Sequence, residues 1–143
     1  MLLVRWSVHS KQNKECVIMV KKILVLFRDK FFHWRISDML RQNYGQYTSI
    51  ENGICSFLYN SKNALDIVER FKKGGYDYLV IMGSFQMSDV FCKNGIRVLW
   101  PEWVKEDDHS KIEFYDMHAR QGYRLVRFRQ IKSFTNDTLE FED

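Results

Sequence analysis

YDYLVIMGSFQMSDVFCKNGIRVLWPEW, residues 76–103, is the stretch that decides how the chain is read. An apolar run at 78–82 ends at Gly83-Ser84, a short polar–apolar segment follows, and a second apolar run at 96–100 stops at Pro101. Strand, helix and strand in that order is the pattern of parallel strands joined by a crossover helix. The carboxyl end of each such strand opens toward a ligand crevice.

Working outward, KKILVLF at 21–27 reads as a strand buried on both faces. Residues 31–44 set Phe32, Ile36, Met39 and Leu40 on a helical stripe, with Gly45 at the C-cap. Glu51-Asn52-Gly53 separates QYTSI from ICSFLYN, and Asn-Gly suits a type I′ turn, so a β-hairpin is expected. Without the hairpin, 54–59 becomes the second parallel strand. Ser61 is placed to cap a helix over 62–73 that buries Leu65, Val68 and Phe71 and stops at Gly74-Gly75. A short helix over 84–93 joins the strands at 77–82 and 96–100. A polar helix over 108–121 then ends at Gly122, and 123–128 forms the last strand.

The expected fold is α/β, a three-layer Rossmann-like or flavodoxin-like sandwich on a mainly parallel sheet of about five strands, with an antiparallel hairpin strand as its one variation. Residues 19–143 form this single domain. In residues 1–18, Arg5 and His9 interrupt any apolar centre of a signal peptide, and the segment reads as a loosely attached extension.

A chain of 143 residues can bury a core without disulfides or metal. Its 45% hydrophobic and 28% charged residues place it among soluble globular proteins rather than disordered chains. Cys16, Cys55 and Cys92 form no CxxC pair and read as reduced thiols of a cytoplasmic protein. No apolar run approaches the roughly 20 residues that span a bilayer, so no membrane partner is expected. The four histidines have no metal-like spacing; His109 and Glu113, one helical turn apart, are the only pair set to face together, and no metal site is expected. The segment RDKFF replaces the Thr/Ser-rich phosphate loop of a flavodoxin, and Met82-Gly83 replaces the Asp of a phosphoacceptor receiver. GxGxxG and Walker A loops are absent, so no motif names a cofactor.

Three strand ends carry the candidate site: Arg28-Asp29-Lys30, Gly83-Ser84 and Pro101-Glu102-Trp103. Gly83 admits a ligand close to the backbone, and Ser84 with the amides of a helix start receives an anion. Arg28 and Lys30 neutralise a phosphate or carboxylate, Glu102 serves as hydroxyl partner or general base, and Trp103, or Trp100, stacks on a base or sugar ring. The partner implied is an anionic small molecule such as a nucleotide or sugar phosphate. Each feature also has a structural use, as a turn with an N-cap, as loop charge, or as core.

The net charge of +4 is clustered toward the C-terminus in Arg120, Arg124, Arg127, Arg129 and Lys132. Strand alternation puts Arg127 and Arg129 on one face and Arg124 on the other. With Lys132, that pair suits nucleic-acid phosphates, or simply charges an edge strand against aggregation. The run EFYDMHARQGYRLVRFRQIKSF resembles, over 111–134, the closing helix and strand of small restriction-endonuclease-like nucleases. That resemblance implies a metal-binding Asp followed by Glu-x-Lys. The nearest match is Asp77 with Glu102-Trp103-Val104-Lys105, which has one residue too many between Glu and Lys. A homodimeric interaction module built on the aromatic surface is the third class.

Overall fold

The computed structural model describes residues 2–7, 15–27, 34–54, 60–81 and 85–142. An antiparallel pair, β1 (Leu2–Ser7) and β2 (Glu15–Val20), forms a sheet of its own and leads through Lys21 into β3 (Lys22–Phe27). There follow α1 (Trp34–Tyr44), β4 (Ser49–Ile54), α2 (Ser61–Gly74), β5 (Tyr78–Ile81), α3 (Phe85–Lys93) and β6 (Val98–Glu106). A 3-10 turn at His109–Lys111 precedes β7 (Phe114–Asp116), the 15-residue β8 (Gln121–Thr135) and β9 (Thr138–Phe141). The main sheet has seven strands in the order β4-β3-β5-β6-β8-β7, with β9 also paired to β8.

The first half follows the sequence closely. Isoleucine, leucine and valine fill β3 and β5, which are buried on both faces, as parallel strands under two helical layers must be. On one face Ile23, Val25 and Phe27 meet Ile36, Met39 and Leu40 of α1. On the other, Leu24 and Leu26 meet α2 and α3 through Ala64, Ile67, Val68, Phe71, Met87 and Phe91. Asn60, not Ser61, caps α2, its side chain accepting from the amides of Lys62 and Asn63. Leu65, read as part of the buried stripe, faces solvent.

The expected Rossmann-like or flavodoxin-like sandwich on a mainly parallel sheet does not form. Among the described residues the sheet has three parallel pairings, β3–β4, β3–β5 and β5–β6, and three antiparallel ones, β6–β8, β7–β8 and β8–β9. It curls into a half-barrel. The cause lies after β6, where residues 107–120 form no crossover helix to return the chain parallel. The polar helix read over 108–121 is instead a 3-10 turn, β7 and a tight turn. In that turn Asp116 Oδ1 accepts from the amides of His118 and Ala119, and Arg120 takes φ 52°. The second hairpin turns at Asn136 and Asp137, both at positive φ, as a type I′ turn requires. His109 and Glu113 therefore share no helix, and the helix in the nuclease resemblance is absent.

Two further expectations fail for local reasons. Asn52-Gly53 makes no hairpin: β4 runs through it, parallel to β3, with Leu26 opposite Gly53. A Cβ at Gly53 would stand 2.8 Å from Leu26 Cδ2 and 2.9 Å from Arg70 Nη1, so close packing explains the glycine. Pro101 does not end its strand. The β5–β6 pairing stops at Leu99, so the missing N–H of Pro101 removes no rung on that side.

Two predictions follow from this packing. A Cβ on Gly122 would run into Ile112 and come within 2.8 Å of the Glu106 carbonyl oxygen, which cannot move without breaking the β6–β8 ladder. Gly122→Ala is expected to cost about 1–3 kcal/mol in chemical denaturation. Burial, reinforced by the adjoining Tyr78, pushes the Tyr44 phenol from 10.0 up to about 12. Its neutral form is the one the fold accepts. Stability is therefore fully present below pH 10 and lost as pH rises through about 12, and Tyr44→Phe should flatten that loss in urea unfolding across this window.

Candidate functional site

The parallel strands end at one rim, where Leu26 of β3 lies beside Ile81 of β5 and Phe27 beside Ile54 of β4. Val80 pairs with Leu99, so β6 carries Glu102, Val104 and Glu106 about 10–25 Å beyond the last β5 rung. On this side β6 rises with β8 as an antiparallel ribbon.

Register decides what the ribbon displays. Glu102 pairs with Arg127 but Trp103 with Leu125, leaving Val126 as an extra residue, a β-bulge. The bulge reverses the expected alternation. Opposite Trp100, Glu102 and Val104 stand Arg129, Arg127 and Arg124, all three on one face, whereas Arg124 was expected to point away. Beyond them Glu106, Gly122 and Tyr115 form the next row. This is the face that α3 covers lower down, where Trp100 packs on the core of α2 and α3. A second bulge sets aside Lys132, which is exposed, between Ile131 and Ser133.

The arginines are held by carboxylates of β6. Glu102 Oε2 lies 3.0 Å from Arg127 Nε and 3.9 Å from Arg129 Nε, and Glu106 Oε2 lies 3.7 Å from Arg124 Nε. Arg129 also sits 4.1 Å over the ring of Phe141. Below it Phe85, at the start of α3, places its ring 4.6 Å from Trp100 and 6.0 Å from Phe134. Arg127 keeps 59% of its side-chain surface exposed, so its free N–H groups face water.

The opposite face fixes the bulge. Glu113 Oε1 accepts the backbone N–H of Leu125, next to the extra residue, at 2.9 Å. Arg35 of α1 pairs with the other oxygen of Glu113 and with Asp38 at 2.6 Å. Trp103 belongs to this face, packed against Phe114 and the α1 core, so it does not share a surface with Glu102. Trp100 takes its place on the arginine side.

Arg28, Asp29, Lys30, Gly83 and Ser84 lie outside the described residues, in the segments that follow β3 and β5. Asp77 sits at the other end of the sheet: its Oδ2 accepts the Lys22 amide at 2.8 Å, and β5 runs away from it toward the rim. It is not brought near Glu102 or Lys105, so the arrangement implied by the nuclease resemblance is not assembled. Among the described residues no group of His, Cys, Asp and Glu could hold a metal, and no helix is long and apolar enough to cross a membrane. Cys92 is half-buried against the Ile131 carbonyl, and burial, then Asp89 and Glu142, push its thiol up. An open cavity of about 530 Å³ lies on the other flank, between α2 and the edge strand β4, lined by Glu51, Asp66, Glu69, Arg70 and Lys73 among others.

The sequence shows Trp100 and Tyr115 as aromatics but does not reveal their face, because the bulge sets the parity. No protein-family model, no curated protein and no solved structure matches the chain.

If Glu113 fixes the bulge, Glu113→Ala leaves the Leu125 N–H unsatisfied and Arg35 without its counter-ion. The expected cost is about 1–3 kcal/mol in denaturant titration, with Glu113→Gln retaining part of it.

Proposed function

We propose that the domain binds a phosphate-bearing anion on the arginine face of the β6–β8 ribbon, where the ribbon rises past the carboxyl ends of the parallel strands. One observation carries this reading: the Val126 bulge aligns Arg124, Arg127 and Arg129 on a single exposed face. Guanidinium groups bind phosphate through paired N–H donors, and such charge-assisted bonds are roughly twice as strong as neutral ones. Glu102 orients the forks of Arg127 and Arg129 and can accept from a ligand hydroxyl.

ATP, a sugar phosphate and an oligothymidylate octamer, each titrated calorimetrically at low salt, provide the test. At least one should bind, and the Arg127→Ala, Arg129→Ala double variant should weaken it more than about tenfold. Equal affinity in that variant, or no binding of any probe at millimolar concentration, overturns the proposal.

A further inference from the structure

We infer that the phosphate-bearing ligand is a single-stranded nucleic acid, laid along the ribbon with its phosphates on the arginines and its bases on aromatic rings at either end. This rests on the anion-binding reading above and adds the class of ligand.

The first argument is shape. Sites for mononucleotides are concave and bury most of the ligand. The arginines instead stand in file along a projecting strand, in the rows of Trp100, Glu102 and Val104. Successive rows on one face of a strand are about 6–7 Å apart. That is close to the separation of neighbouring phosphates in an extended single strand. One cation per phosphate is the arrangement that a chain can follow and a compact ligand cannot use.

The second argument is stacking. At the rim end the file meets Trp100, in ring contact with Phe85, which in turn stacks on Phe134. At the far end Tyr115, 45% exposed, lies across Gly122 from Glu106. The Ile112 side chain packs over Gly122 between them. Cationic tracks flanked by aromatic faces are how single strands are held without sequence preference, because every base has a π-face. A duplex hides those faces, so the rings would gain nothing from it. The span from Trp100 to Glu106, roughly 20 Å, takes about four nucleotides, the low end for single-strand platforms.

The third argument is exchange. Glu102 pairs with Arg127 in the free protein, and a pair that keeps 59% and 30% of its side-chain surface exposed is weak enough for a phosphate to replace it. The carboxylate then opposes the ligand, so Glu102→Gln should tighten binding about two- to fivefold.

Fluorescence anisotropy with labelled oligothymidylates of increasing length, the matching duplex and ATP tests the inference on the full chain. The expected result is affinity that rises with length to about four nucleotides and exceeds that for duplex. The log–log salt slope should be about −2, shrinking by about 0.7 in Arg127→Ala. Tyr115→Ala, at an exposed position that should not disturb folding, should weaken the octamer about fivefold or more while Tyr115→Phe does not. If ATP binds in an arginine-dependent way and lengthening the strand adds nothing, the polymer inference is overturned and the anion site stands. Equal affinity for duplex and single strand, with Tyr115→Ala silent, also overturns it. Loss of all arginine-dependent binding removes both.

Discussion

Fifteen residues of β8 must serve two hydrophobic cores and one charged surface, and strict strand alternation cannot do this. Strict alternation would place Leu125 on the same face as Arg127 and Arg129, away from the α1 core, and would turn Arg124 toward that core instead. Unpaired charge in a core costs far more than a lost ladder bond. The bulge at Val126 removes the conflict. Leu125 and Phe128 both lie on the α1 side, while Ile131, lower on the arginine face, joins the core under α2 and α3. Arg124 joins Arg127 and Arg129 on the open face.

The bulge has a cost that the structure meets locally. An extra residue interrupts the ladder next to Leu125, and Glu113 accepts that amide. A carboxylate in this half-covered position needs a counter-ion, which Arg35 supplies from the first turn of α1. Thus α1, the helix that closes one core, also holds the register of a strand far along the sequence. The shape of the ribbon depends on a contact made on its hidden side.

How much of this was legible follows from where the signals are local. KKILVLF and YLVI were read as strands because continuous aliphatic runs have few other uses in a soluble chain. The first two helices were visible as apolar stripes, with Leu65 wrongly placed on the second, and α3 was read as a short connecting helix. Gly53 was misread because Asn-Gly carries a turn signal, whereas its need for glycine arises from Leu26 and Arg70, neither adjacent in sequence. The C-terminal third failed differently. Its turn signal, Asn136-Asp137 between SFT and TLEF, is present in the sequence, but the last strand was expected to end at residue 128. The bulges had no local signal at all: parity along β8 is set by which residues two separate cores demand. The face of Arg124, and with it the candidate site, could not be read from the strand alone.

Two kinds of ion pair in this molecule show how burial separates structure from function. Arg35 and Glu113 retain 17% and 21% of their side-chain exposure, and Glu113 also carries a backbone hydrogen bond. Removing either partner leaves a desolvated charge, so the pair cannot be exchanged without loss of stability. Arg127 and Glu102 retain 59% and 30%, and water already solvates much of what they offer each other. Such a pair is worth about 0–1 kcal/mol, less than a charge-assisted bond from the same arginine to phosphate. The same chemical contact therefore acts as a rivet on one face of the ribbon and as a solvated pairing on the other. On the exposed side, the carboxylates of β6 offset three like charges that stand close together.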